Sequence, residues 1–157
     1  MSGPLGIVVW MIGAAILQFG LAPSLNLWGI RPDFLLVFLG CFALRTRPSA
    51  GAGLGFFAGL VQGAMAGANT THYILSRSIT GFVVSLSRQS GLEFGPVLTA
   101  LTVMATTIVA RIAFMFGAAP PGIGEFLKDT ISMAIYNGVL ALPVYLVTRN
   151  VGKPKKV

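Results

Sequence analysis

The chain has 157 residues, of which 55% are hydrophobic and only 10% charged, and its mean hydropathy is +0.83. Soluble domains carry roughly 25% charged residues, so these values exclude a soluble globular domain and point to an all-α integral membrane protein. The net charge of +7 is spread thinly between apolar runs with no aromatic-basic surface motif, which argues against nucleic acid as a partner, and the lone Cys41 excludes an internal disulfide.

At about 20 residues per crossing, the length admits five or six spans in one membrane domain, residues 1–149, followed by a short basic tail at 150–157. The first apolar run, residues 5–21, lacks a cationic stretch ahead of it and reads as a retained span rather than a cleaved signal. It stops at Ala22-Pro23-Ser24, where proline cannot continue a helix. Trp28 follows in an interfacial segment. Arg31-Pro32-Asp33 then opens the second span, with proline suited to the first helical position and aspartate to the positive helix start. From residue 32 to 44 that span is only about 20 Å long, less than a bilayer core of about 30 Å. Either it begins near Leu25, or Arg31 and Asp33 lie below the membrane surface.

After the basic loop Arg45-Thr46-Arg47-Pro48 comes a helix with glycine at every fourth residue: Gly51, Gly55, Gly59, Gly63 and Gly67. In water each interior glycine costs roughly 1 kcal/mol relative to alanine. In lipid the same spacing bares one helix face, so that a neighbouring helix, in this chain or in a partner, can approach backbone to backbone. The fourth span, residues 70–87, is the most polar, with His72, Ser76, Arg77, Ser78 and Thr80. The fifth, residues 95–117, is rich in threonine and carries Arg111; the sixth runs from about 124 to 147 and contains Pro143, expected to bend or end it. Arg45, Arg47, Arg88, Arg149, Lys153, Lys155 and Lys156 fall on one side and Arg31 and Lys128 near the other. The positive-inside rule then places both termini in the cytoplasm and requires an even number of spans, and six fits the length.

Charges within a bilayer are costly, which makes Arg77 and Arg111 the first candidates for function. By helix rise, the last hairpin brings Arg111 level with Asp129. His72, Arg77, Glu125 and Asp33 fall in the same outer half, which suggests a polar layer open to the outside and containing an Arg-carboxylate pair. For Arg111 and Lys128 the plainer reading is that they snorkel to the interface as anchors, whereas Arg77 lies deeper. His72 and Ser76 are one turn apart, but a catalytic dyad also needs an oxyanion site that one helix rarely supplies, and a serine bonded to its own helix is the preferred reading. With one histidine and one cysteine there is no zinc site, and no cofactor motif is present in the sequence. Gln62, Tyr136 and Asn137 read as packing residues that can bond across helix contacts.

The order Arg31-Pro32-Asp33, FLLVFLGCFAL, Arg45-Thr46-Arg47-Pro48, GAGLGFFAGLVQG and the closing AIYNGVLALPVYLVTR resembles the MreD family of rod shape-determining membrane proteins. The family's matching positions here are Arg31, Pro32, Asp33, Gln62, Asn137 and Pro143. Where the family often has an aspartate at the end of the glycine helix, this chain has Gly63. The resemblance implies a six-helix bundle similar to the S-component fold of energy-coupling-factor transporters. It also implies a non-enzymatic scaffold in the bacterial inner membrane, binding an MreC-like bitopic protein. That role extends to MreB, the RodA/penicillin-binding-protein synthase and peptidoglycan synthesis in cell elongation, with a homodimer as a further option. The alternative is a substrate-binding subunit of S-component type, in which Arg77 and Arg111 receive an anionic, vitamin-like solute.

Overall fold

The computed structural model describes residues 4–87 and 95–149. They form six α-helices and no sheet: α1 Pro4–Gly20, α2 Phe34–Ala43, α3 Pro48–Ala66, α4 Thr70–Leu86, α5 Pro96–Met115 and α6 Ile123–Thr148. The polar connector at 88–94 and the basic tail at 150–157, with Arg88, Lys153, Lys155 and Lys156, lie outside the described residues. Three helices, α3, α5 and α6, are long and apolar enough to cross a membrane; α1 and α2 are apolar but shorter.

The shortest helix is the centre. Every residue of α2 from Phe34 to Ala43 is buried, and α2 touches all five other helices. A helix apolar on all sides must be surrounded, and here α1, α3, α4, α5 and α6 do so. Trp10 stacks on Phe38 at 6.0 Å, and Ile7, Met11 and Ala14 of α1 close one side of the core. Val37 and Cys41 pack with Val103 and Ala141, so the cysteine serves as a small apolar residue. Successive members of the series α1, α3, α4, α5, α6 are in contact; the backbones of α1 and α6 do not come within 8 Å, and there Leu140 and Val144 of α6 pack on the core that α1 and α2 share.

The ten residues of α2 span about 15 Å, half a bilayer core. The helix does not begin near Leu25: residues 21–30 form turns with a bridge between Leu27 and Ile30, Trp28 sits 98% exposed at φ 50, and the helix starts only at Phe34, with Asp33 buried and Arg31 exposed. At the other end of α2, Ser85 Oγ donates to the Ala43 carbonyl at 2.9 Å. Arg45 lies over the Tyr145 ring and donates to the Thr148 carbonyl, placing a cation at the negative end of α6. Burial there lowers the Arg45 pKa from the ordinary arginine value. These contacts gather the ends of α2, α4 and α6 on one side of the bundle.

The glycine face of α3 is directed at α4, its closest neighbour. A methyl group at Gly51 would strike Ser85 and the Gly81 carbonyl, one at Gly55 the Arg77 carbonyl, and one at Gly59 the Tyr73 and Ile74 backbone. At Gly63 it would meet Thr70 Cα at 2.6 Å, so an aspartate has no room at that position. The stripe is thus consumed inside the chain. Gly67 does not share this packing: it ends α3 in the left-handed region, φ 67, and donates its N–H to the Gly63 carbonyl. In α6 the helix continues past Pro143 to Thr148, so this proline does not end it.

Candidate functional site

The N-terminus of α2 lies among the other helices, and its first backbone N–H groups have no partners within the helix. Away from water each needs a side-chain acceptor, and three elements supply one. Asp33, the N-cap, accepts from Leu36 N at 2.9 Å through Oδ1. Gln18 of α1 accepts from Phe34 N at 2.7 Å and donates to the Pro32 carbonyl at 3.4 Å. Asn137 of α6 accepts from Asp33 N at 3.0 Å, and its Nδ2 donates at 3.1 Å to Thr107 Oγ1 of α5. Thr107 in turn donates to the Val103 carbonyl.

The cap brings a negative charge into the interior, and Arg77 of α4 answers it. Arg77 Nη2 donates to Asp33 Oδ2, with the arginine only 4% exposed and the aspartate 6%. Its guanidinium also lies 5.1 Å over the Tyr73 ring, and Tyr73 packs at 4.5 Å on Phe114. A buried pair of this kind costs desolvation that only good geometry and further hydrogen bonds repay. Here Asp33 has further support from the helix start and from Leu36 N–H beside Arg77.

The pairing of Arg111 with Asp129 that the helix rise allows does not form. Arg111 Nε donates to Thr130 Oγ1 at 3.1 Å and its guanidinium lies 4.9 Å over Phe126, while the Asp129 side chain is exposed. Among the described residues the ion pair is Arg77–Asp33. One helical position separates Asp129 from Thr130, a rotation of about 100°, and Thr130 is the one turned inward. Glu125 is also exposed.

The anticipated polar layer therefore divides. Arg77 and Arg111 line one cavity of about 130 Å³ with Asp33, Gln62 and Tyr73. His72 lines a different, apolar groove between α4 and α5, with Leu75, Ile79 and Phe116. Ser76 Oγ donates to the Tyr73 carbonyl of its own helix at 3.2 Å, not to His72. Arg31 is exposed and, with Pro32 and Gln62, borders a neighbouring cleft of about 250 Å³. Pro143 is exposed on α6, away from the cavity.

Two residues of this network, Gln18 and Thr107, stand outside the sequence expectations. Gln18 was hidden in MIGAAILQFGL, although an amide in an apolar run is a signal of burial in a bundle. Thr107 is one of several threonines in α5, and Thr99, Thr102 and Thr106 all bond their own helix, so nothing in the sequence separates it.

The arrangement has no nucleophile–base pair and, among the described residues, no cluster of metal ligands. It is a set of side chains from α1, α4, α5 and α6 fastened to the start of α2. No curated protein and no solved structure matches the chain. A family model does, over residues 3–151 and thus nearly end to end, and its description is rod shape-determining protein MreD; the chain belongs to the MreD family.

Proposed function

We propose that this chain is a non-enzymatic scaffold of the bacterial cell-elongation complex, crossing the inner membrane six times with both termini in the cytoplasm. It binds an MreC-like bitopic protein and, through it, supports MreB, the RodA/penicillin-binding-protein synthase and peptidoglycan synthesis. Family membership supports the role in shape. The observation that carries the scaffold reading is the partition of surface: the polar bonds converge on α2, while Ile131, Ile135, Val139 and Leu146 of α6, with Leu5, Val8, Ile12 and Ile16 of α1, remain exposed. Such faces are open to lipid and to a neighbouring helix alike, and with little mass outside the bilayer the scaffold reading places the partner contact on them.

The six-span topology is supported by the gathering of Arg45, Ser85 and Thr148 at one end, the side on which lysine and arginine predominate. Six helices are also the number that likeness to the S-component fold requires. Affinity purification in mild detergent is expected to recover a bitopic MreC-like protein; recovery of the chain alone under conditions that preserve other membrane complexes counts against the scaffold. A periplasm-active reporter fused after Val157 is expected to be silent, and activity there overturns the topology.

A further inference from the structure

The bonds around Asp33 leave two buried groups unanswered. Arg77 Nε and Gln62 Oε1 have no hydrogen-bond partner, and both side chains line the 130 Å³ cavity with Asp33, Tyr73, Arg111 and Met133. A bare donor and a bare acceptor on the wall of one cavity call for a guest that can both accept and donate.

Charge narrows the guest. Both oxygens of Asp33 are engaged, by Leu36 N–H and by Arg77. Arg111 makes no ion pair among the described residues, and the acid that acts on it most, Asp129, is exposed and outside the cavity lining, so within the cavity two guanidiniums face one carboxylate. In a medium of low dielectric that excess favours an anion over water. A carboxylate only accepts and leaves Gln62 Oε1 unmet, whereas a phosphate that bears a hydroxyl, or whose substituent does, meets both. Size narrows it again: pockets for drug-sized ligands measure roughly 300–1,000 Å³. This cavity holds the charged end of a molecule and not a whole vitamin. The 250 Å³ cleft shares Asp33, Gln62 and Met133 with it and reaches Pro23 and Arg31 at the surface, which gives the remainder a place.

We propose that the cavity is a binding site for one phosphate group carrying or adjoining a hydroxyl, either free phosphate or the phosphodiester of a lipid headgroup. The phosphate accepts from Arg77 Nε and lies beside Arg111, and the hydroxyl donates to Gln62 Oε1. The site stands independently of the scaffold reading.

The test is the heat-unfolding midpoint of the full chain in neutral detergent, titrated separately with inorganic phosphate, with phosphatidylglycerol, and with chloride and phosphatidylcholine as controls. A saturable rise with phosphate identifies the free ion; a rise with phosphatidylglycerol but not phosphate identifies a headgroup. In Arg111→Gln the half-saturation point is expected to move about tenfold higher, the loss of one neighbouring positive charge. Gln62→Met should do the same and serves if Arg111→Gln does not fold, while Glu125→Gln should leave it in place. No saturable rise with either probe in the unaltered chain, or an unchanged response in both Arg111→Gln and Gln62→Met, means that the cavity holds water only and overturns the proposal.

Discussion

The seam between α3 and α4 and the knot at the start of α2 meet the same demand by opposite means. Lipid offers neither hydrogen bonds nor a hydrophobic force between helices. Along the seam, side chains are removed at Gly51, Gly55, Gly59 and Gly63, and backbone meets backbone. At the knot, side chains are added: Gln18, Asp33 and Asn137 each answer a backbone N–H. The two regions meet at one point, since Gly55 lies against the Arg77 carbonyl and Arg77 holds Asp33. The seam sets how far the arginine's backbone stands from the carboxylate.

The largest expected effect comes from breaking the knot. Asp33→Asn keeps a competent cap but strips Arg77 of its partner, and unfolding in detergent is expected to show a loss of about 3–5 kcal/mol. Adding Arg77→Met to that variant should restore part of the loss. The seam is next: Gly59→Val drives a branched side chain into the α4 backbone and is expected to cost about 1–3 kcal/mol. Gly53→Ala, on the open face of the same helix, is expected to be neutral or to stabilise by up to about 1 kcal/mol. If both glycine variants behave alike, the face-specific account of the seam is wrong.

The joint between the regions is probed by a double-mutant cycle of Gly55→Ala with Asp33→Asn. Pushing α4 away already weakens the ion pair, so the two losses should fall short of additivity by about 0.5–3 kcal/mol. Additive losses separate seam from knot. The smallest effect is reserved for Asp129→Asn, expected within about 0.5 kcal/mol because the side chain is exposed, forms no ion pair across the hairpin and acts on Arg111 only at a distance. A loss comparable to that of Asp33→Asn would move the ion pair back to the α5–α6 hairpin.

The seam was legible because a period of four names a helix face without knowledge of the fold; which helix it meets was not, since the spacing does not distinguish α4 from another chain. The short second span left two readings open, a start near Leu25 or Arg31 and Asp33 set below the surface, because thirteen residues fall short of a bilayer core; the helix starts at Phe34, with Asp33 buried and Arg31 exposed. Which carboxylate an arginine meets was not legible: depth along a helix follows from rise per residue, but direction around it shifts about 100° per residue. That separated exposed Asp129 from buried Thr130. Arg77 reaches Asp33 across 44 residues, and Asn137 reaches it across 104, distances over which no local pattern acts.

Those separations also set an order of manufacture. At roughly 5–20 residues per second, Asn137 leaves the ribosome roughly 5–20 s after Asp33. In the interval the central helix has neither its late wrappings nor its final acceptor, and until the second hairpin arrives its carboxylate is uncompensated. In a nascent chain built this way the earliest polar groups stay short of their partners until the last helix is made.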